Sequence, residues 1–323
     1  MTPTSIRSAL VALVASTALT GAALADDAKP LAGKTIGITT IRADNQADRL
    51  FYQSAIAEVE ALGGTVIGLD AQSNDQTQIA HIQTLIAQKP DAVIEILGNL
   101  EVLEPWLAKV TEAGIPLFTI DTTSKAAVNV VASDNYGLGS ALALQLVNDI
   151  GAKGNVLVFN GFYSVPPCRI RYDQFRYVLK DFPEITVIEP ELRDVIPNTA
   201  QRAYSDVTDM LTKYPNEGDI SAVWSCWDVP LIGATQAIDA SGRKGIYTYG
   251  VDGSPDFLDQ VADPESAGGA VVVQQLVEMG KVSARNVAAY LNGETVPPVT
   301  FVPGIIVTKK NADEVIPTLP ATD

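Results

Sequence analysis

Short apolar runs alternate with amphipathic segments along the chain after Lys34. Thr35–Thr40 is an apolar run rich in β-branched residues and predicts a strand, whereas the apolar residues of Ala47–Leu62 recur about every 3.6 residues and predict a helix. In this half the predicted strands are Thr35–Thr40, Thr65–Leu69, Ala92–Leu97, Pro116–Ile120 and Val128–Ala132, and the predicted helices are Ala47–Leu62, Asp75–Gln88 and Leu100–Ala113. Glycine follows two of these helices, as it commonly does at a helix C-terminus.

The same alternation starts again in the second half of the chain. The predicted strands there are Val156–Phe159, Ile185–Ile188, Ala222–Ser225, Gly245–Tyr249 and Ala270–Val273, and the predicted helices are Arg169–Leu179, Ala200–Lys213, Leu231–Ala240 and Gln275–Leu291. Strands that alternate with helices predict the α/β class, with parallel sheets and right-handed crossovers. Two similar halves predict two doubly wound parallel-sheet lobes. Ligands of such sheets bind beyond the carboxyl ends of the strands, so two lobes that face each other by those ends would form a cleft.

Residues 1–25 have the pattern of a secretory signal. Arg7 is the only charge in this segment, an apolar stretch follows from Ala9 to Leu19, and the segment ends with Ala23-Leu24-Ala25. A membrane anchor is the alternative, but the apolar core is too short and too rich in Ala, Thr and Gly to span about 30 Å of hydrocarbon. A lipid anchor would need a cysteine after the apolar core, and the first one is Cys168. We therefore expect a cleaved signal and a mature chain that is free in a bacterial periplasm.

The charge and the residue types exclude several function classes. The net charge is −16 at pH 7 and no basic cluster interrupts it, so we expect no nucleic-acid partner and no adhesion to anionic lipid. His81 is the only histidine, and the sequence has no G-x-S-x-G, P-loop or G-x-G-x-x-G motif. We therefore expect no cofactor, no metal site and no catalytic residue, and we assign His81 a plain surface role.

Cys168 and Cys226 are the only two cysteines. Cys168 lies in a loop after one predicted strand, and Cys226 ends another. In an oxidising compartment they either form a disulfide or remain two half-buried thiols near the cleft, and the sequence leaves both possibilities open.

Polar and aromatic side chains follow the predicted strands, at the edge where the cleft would lie. They are Arg42, Asp44, Asn45, Asp121, Asn160, Phe162, Tyr163, Arg169, Trp227, Asp228 and Asp252. Carboxylates accept hydrogen bonds from hydroxyls, arginine and amide groups donate them, and aromatic faces cover C–H surfaces. The set predicts a site for a neutral polyhydroxylated ligand. The alternative is that Asp44 and Asp228 only cap the helices that follow them, an explanation that suits Asp121 and Asp252 less well because each ends a strongly apolar strand.

Several motifs carry a resemblance to a known family. They are Pro116–Asp121, Ala132–Asn135, Tyr249–Asp256, and Arg169-Ile170-Arg171 followed by Phe175. With these motifs the chain resembles the ribose-type periplasmic sugar-binding proteins, the soluble receptors of ABC importers, from about Lys34 to about Gly304.

The resemblance implies a periplasmic binding protein type I fold, in which three chain crossings form a hinge between two lobes. It implies an N-terminal lobe of residues 34–136 plus 275–303 and a C-terminal lobe of residues 137–274 plus 304–323. The crossings are expected near Tyr136–Gly139, Val273–Gln275 and Val302–Gly304.

The resemblance also implies which residues bind the ligand. They are Asn45, Asp121, Arg169, Asp252 and Gln274, and we add Trp227 as an aromatic side chain that stacks on the ligand. The alternative for Trp227 is a core position, of the kind expected for Trp224.

The chain departs from the pattern of the family at four places. Ala47 and Asp48 replace an aromatic pair, Thr122 replaces an arginine, an aromatic is absent near Asn198, and Trp227-Asp228 replaces Asn-Asp. We expect the aromatic surface to have moved to Trp227, Phe51, Phe162 and Tyr163. These departures make another pentose, a hexose, or a linear or cyclic polyol as suitable a ligand as ribose.

The resulting interpretation is a periplasmic, monomeric solute-binding protein that captures a neutral sugar or polyol and delivers it to an inner-membrane ABC permease, without catalysis. One alternative is an exported carbohydrate-active enzyme with Asp121 and Asp252 as an acid/base pair, although the sequence shows no cause for a raised pKa at either carboxyl. Another is a sugar receptor that docks on a chemoreceptor or kinase. A transcription repressor of the same fold is excluded, because the export signal stands where its DNA-binding helices would be.

Overall fold

A computed structural model describes residues 29–44 and 46–319 of the chain. The predicted export signal and the predicted site residue Asn45 lie outside the described residues. The first half contains β1 (Thr35–Thr40), α1 (Gln46–Ala61), β2 (Thr65–Asp70), α2 (Asp75–Gln88), β3 (Ala92–Ile96), α3 (Leu100–Glu112), β4 (Leu117–Ile120) and β5 (Asn129–Ser133). The second half contains α4 (Asn135–Asp149), β6 (Gly154–Phe159), α5 (Pro166–Leu179), β7 (Ile185–Val187), α6 (Thr199–Lys213), β8 (Ala222–Ser225), α7 (Val229–Ser241), β9 (Tyr247–Asp252), α8 (Pro255–Ala262), β10 (Gly268–Val273), α9 (Leu276–Leu291), β11 (Val299–Val302), β12 (Ile305–Thr308) and α10 (Ala312–Val315).

The described strands form two six-stranded sheets. The first has the order β11-β5-β4-β3-β1-β2, and all of its pairs are parallel. The second has the order β12-β10-β9-β8-β6-β7, with β12 antiparallel to β10 and the other pairs parallel. The predicted α/β class with two doubly wound lobes is confirmed.

Three segments carry the chain from one sheet to the other. They lie after β5, after β10, and between β11 and β12. Helix α4 packs on α5 and β10 in the second lobe, whereas α9 packs on α1 and β5 in the first. The lobe boundaries at residues 136, 274 and 303 stay a prediction, and each of them falls at one of these crossings.

Both faces of each sheet are covered by helices, which explains why the strands are almost continuously apolar. In the first sheet, Ile94 faces the cluster that includes α1 and α9, and its neighbour Val93 faces the cluster of α2 and α3. In the second sheet, Leu157 faces the cluster of α6, α7 and α8, and Val158 faces that of α4 and α5. Each such side chain contributes about 1.5–3 kcal/mol when it leaves water.

Helix α4 was absent from the predicted elements, as were α8, β11 and β12. Gly137 and Gly139 lie in the first turns of α4 and lower its intrinsic helix propensity. Tertiary packing compensates, because a side chain at position 139 would lie 2.8 Å from the Cα of Arg171, so α4 and α5 approach closely at this glycine. Helix α5 starts at Pro166, earlier than the predicted Arg169, since proline is well tolerated in the first turn of a helix.

A buried acid lies inside the first lobe, next to the strand ends. Glu95 of β3 is fully buried, and its Oε1 accepts a hydrogen bond of 3.0 Å from Nε2 of Gln78. Burial raises the pKa of Glu95 to about 7, against the opposing effect of hydrogen bonds from Thr122, Gly98 and Gln78. The neutral acid is therefore the form that the folded lobe accommodates more easily.

We expect Glu95→Gln to stabilise the protein increasingly as the pH rises. In the folded wild type the pKa of Glu95 exceeds its usual value of 4.5, so ionisation of Glu95 lowers the unfolding free energy. This loss of stability is absent below the unfolded pKa and complete above about pH 7. The difference in unfolding free energy between variant and wild type should thus grow by on the order of 2–3 kcal/mol between about pH 4 and pH 8. Urea unfolding across that range measures it.

Glu101→Gln on the exposed face of α3 is the matched control and should show a flat difference. A flat difference for Glu95→Gln as well would contradict the assigned burial cost.

Candidate ligand-binding cleft

Carboxylates from both lobes converge where the carboxyl ends of the two sheets meet. Asp121 follows β4 in the first lobe, and Asp252 ends β9 in the second. The charges of Asp48 and Asp252 both raise the pKa of Asp121, and the charge of Asp48 also raises that of Asp252. Asp48, in the first turn of α1, is 6% exposed, and its carboxylate accepts a hydrogen bond from Nε of Arg42. Three acids thus act on one another across the gap between the lobes.

Asp121 is held in an unusual backbone conformation. Its φ of 53° lies in the left-handed region, which aspartate tolerates better than most residues. Its backbone N–H donates to the carbonyl of Val131 at 2.9 Å, and its Oδ1 accepts from the N–H of Ser133 at 3.4 Å. Burial raises the pKa of Asp121 to about 6, and the positive charge of Arg171 opposes this rise.

Asp252 and Asp228 form a second pair of neighbouring carboxyls. Asp252 has a φ of 121°, which only a firmly held loop imposes on a residue other than glycine. Burial raises the pKa of Asp252 and is opposed first by Arg171, and burial together with the charge of Asp252 raises the pKa of Asp228 to about 7. Oδ2 of Asp228 accepts from the N–H groups of Gly253 at 2.9 Å and Ser254 at 2.6 Å. Asp228 therefore anchors the β9–α8 turn and makes no side-chain cap on its own helix.

Arg171 brings a buried positive charge to these acids. Its side chain is only 5% exposed, and Nη1 lies 3.4 Å from Oδ1 of Asp252. Nε donates to Oδ1 of Asn135 at 2.7 Å, and Nη1 also donates to the carbonyl of Cys226 at 2.9 Å. Arg169, the arginine predicted from the sequence, is exposed in the first turn of α5. Helix α5 thus presents Arg171 to the carboxylates and Arg169 to solvent.

Gln274 connects the acids to the hinge. It follows β10 at the second crossing, and its Nε2 donates to Oδ1 of Asp252 at 2.5 Å. Its Oε1 accepts from the hydroxyl of Ser133 at 2.6 Å, and Ser133 ends β5 at the first crossing. A continuous hydrogen-bond chain therefore runs from Asp252 through two hinge segments toward Asp121.

An aromatic wall borders the cleft on the second lobe. The half-buried ring of Trp227 meets Phe162 edge to face, with centroids 5.3 Å apart and planes at 83°. The indole N–H of Trp227 donates to the carboxylate of Asp194. Trp224, by contrast, is fully buried and stacks on Phe175, as expected for a core residue. Ligand stacking by Trp227 remains a prediction.

A disulfide lies next to this aromatic wall. Cys168 of α5 and Cys226 after β8 are bonded, with their Cα atoms 5.0 Å apart. It joins the two segments that carry Arg171 and Trp227. Of the two possibilities that the sequence left open for these cysteines, the structure shows the disulfide.

One of the aromatic residues named from the sequence lies outside the cleft. Phe51 is 3% exposed in the core between α1 and the first sheet, so it does not supply cleft surface. Tyr163 is 42% exposed, and its hydroxyl donates to Asp173 at 3.1 Å. The expectation that neither Asp121 nor Asp252 has a cause for a raised pKa is also wrong, since burial raises both. Asp48, Arg171 and Asp194, which interact with these acids or the aromatic wall, are not among the ligand-binding residues predicted from the sequence.

Comparison with known proteins identifies the family. Residues 36–295 match the periplasmic binding protein domain family, so the chain belongs to it. The resemblance to ribose-type periplasmic sugar-binding proteins is confirmed, and members of this group are substrate-binding proteins of ABC transporters. Among the described residues, no helix combines the length and the apolar character needed to cross a bilayer.

Three relatives illustrate the similarity. An ABC sugar transporter subunit from Rhodobacter sphaeroides 2.4.1 is 65% identical, with a TM-score of 0.79 over 87% of this chain and 99% of its own. An ABC transporter solute binding protein from Agrobacterium vitis, solved with bound allitol, is 52% identical, with a TM-score of 0.80 over 88% of this chain and 99% of its own. The ribose import binding protein of Bacillus subtilis is 27% identical over 85% of this chain and 88% of its length.

Proposed function

We propose that this chain is a periplasmic solute-binding protein that captures a neutral polyol or sugar between its lobes and delivers it to an ABC permease. The observation that carries the proposal is the convergence of Asp48 and Asp121 from one lobe with Arg171 and Asp252 from the other. Carboxylates accept from hydroxyl groups, and the guanidinium donates to them, so the set suits a ligand rich in hydroxyls and without charge of its own. The predicted export signal supports the periplasmic location.

Discrimination between ligands follows from the burial of these groups. Each carboxylate oxygen or guanidinium N–H that faces the ligand must find a hydroxyl when the lobes close. A ligand with the wrong hydroxyl pattern leaves a buried polar group unpaired, which costs about 1–3 kcal/mol. No bond is made or broken in this process, and binding with release is the whole activity proposed.

Within this class, we propose an acyclic hexitol as the ligand. A ring sugar that is held between two aromatic faces needs aromatic side chains from both lobes. In the described part of the chain, Phe162 and Trp227 supply an aromatic wall on the second lobe, whereas the first turn of α1 in the first lobe carries Asp48. A linear polyol has a hydroxyl on every carbon, so it can donate hydrogen bonds to three carboxylates and needs only the one aromatic wall. The allitol bound to the 52% identical relative supports this choice.

We expect allitol and related hexitols to raise the melting temperature of the mature protein more than ribose or allose do. A ligand that binds only the native state at about a thousand times its Kd stabilises by about 4 kcal/mol. Differential scanning fluorimetry against polyols, pentoses and hexoses measures the shift, and calorimetry then gives the affinity. If every polyol and sugar left the melting temperature unchanged, the proposed function would be wrong.

We expect Arg171→Lys to weaken allitol binding by about tenfold or more, because a lysine cannot reproduce the forked hydrogen bonds to Asn135, Cys226 and Asp252. Arg176→Lys, in the last turn of the same helix and with its side chain 43% exposed, is the matched control and should bind like the wild type. Isothermal titration calorimetry compares the variants, and the melting temperature of each unliganded variant shows that it is folded. Full affinity in a folded Arg171→Lys variant would contradict the role proposed for Arg171, and a loss of affinity in Arg169→Lys would support the predicted contact of Arg169.

A further inference from the structure

The segment between β7 and α6 places an acidic residue beside the aromatic wall. This segment continues along β6, since the N–H of Leu192 donates to the carbonyl of Val158 at 2.8 Å. The N–H of Asn160 then donates back to the carbonyl of Leu192 at 2.9 Å. The path brings Asp194 over the carboxyl ends of β6 and β8, where it is only 5% exposed.

Both carboxylate oxygens of Asp194 are used, and each one holds a different loop. Oδ1 accepts from the backbone N–H of Gly161 in the loop after β6, and Oδ2 accepts from the indole N–H of Trp227 in the loop after β8. A side chain at position 161 would collide with the backbone oxygen of Asp194, so Gly161 is what allows the approach. Asp194 thus joins the two loops from which the aromatic wall is built.

These contacts determine the position and the tilt of the Trp227 ring. An indole has one N–H donor, and in Trp227 that donor is directed to Asp194. The edge-to-face contact with Phe162, which lies next to Gly161 in the chain, supports the ring on another side. Rotation of the indole would break the hydrogen bond and the ring contact together.

We propose that Asp194 is a positioning residue that orients the indole of Trp227 for the bound polyol without touching the polyol itself. This inference rests on the proposed function, in which Trp227 forms a wall of the binding cleft. Aspartate suits the role because its two oxygens accept from two N–H donors at once. Asparagine has one oxygen and no charge, so in Asp194→Asn the indole N–H loses its charge-assisted acceptor, whichever of the two N–H groups keeps the remaining oxygen.

The orientation of Trp227 is tested in the unliganded protein by ¹H–¹⁵N NMR of the indole N–H groups. The chain has three tryptophans, and the resonance that disappears in Trp227→Phe belongs to Trp227. We expect this resonance to move upfield and to exchange faster with water in Asp194→Asn, because a charge-assisted hydrogen bond is lost. Asp209→Asn, which removes an exposed carboxylate from α6, is the matched control and should leave the resonance in place.

The effect on binding is tested by a double-mutant cycle with allitol and calorimetry. We expect Asp194→Asn to weaken binding by about tenfold in the wild-type background and by less than about twofold in the Trp227→Phe background. An indole that is already absent cannot be misoriented, so the second loss should be small.

An equal loss of affinity in both backgrounds would overturn the proposal, because Asp194 would then act independently of Trp227. An unmoved Trp227 resonance in Asp194→Asn would overturn it as well. If the wild type bound neither allitol nor any other polyol or sugar, the proposed function would fail, and the indole resonance would still decide whether Asp194 orients Trp227.

Discussion

Arg171 brings a buried positive charge to the carboxylates that converge between the lobes. Burial raises the pKa values of Asp121 and Asp252, and the guanidinium opposes both rises. A buried acid without such a partner would take up a proton and become a donor, which would change the hydroxyl pattern that the cleft accepts. The close approach of α4 and α5 at Gly139 and the three hydrogen bonds of Arg171 keep this charge in place. The electrostatics of the cleft thus depend on the packing of α5, which carries Arg171, against α4.

Hydrogen bonds connect the hinge to the candidate cleft. Gln274 and Ser133 lie at two crossings and bond to each other, and Gln274 also bonds to Asp252. A rotation of the lobes must therefore move or break hydrogen bonds that hold the carboxylate of Asp252. The left-handed φ angles of Asp121 and Asp252 show that the backbone at both strand ends is held in sparsely populated conformations. Such positions occur where the surrounding fold imposes the geometry that function needs.

The fold could be predicted from the sequence because parallel strands that are covered on both faces have almost continuously apolar sequences. The strand-end acids could be predicted as well, because a polar residue follows directly after each of these apolar runs. Which of Arg169 and Arg171 contacts Asp252 could not be predicted in this way, since the two positions differ by about 200° around a helix. The available signal was helical spacing, because Arg171 shares the buried face of α5 with Phe175. Helix α4 was missed because its two glycines weaken the local pattern. Asp194 had no local signal, since it lies in an irregular segment whose path is set by contacts distant in sequence.

If acids from opposite lobes hold one ligand between them, a crystal structure of the mature protein with allitol will show it most directly. We expect hydroxyls of one allitol molecule to lie within about 3 Å of the carboxylates of both Asp121 and Asp252. Allitol bound to one lobe alone, or outside the cleft between the two sheets, would contradict it.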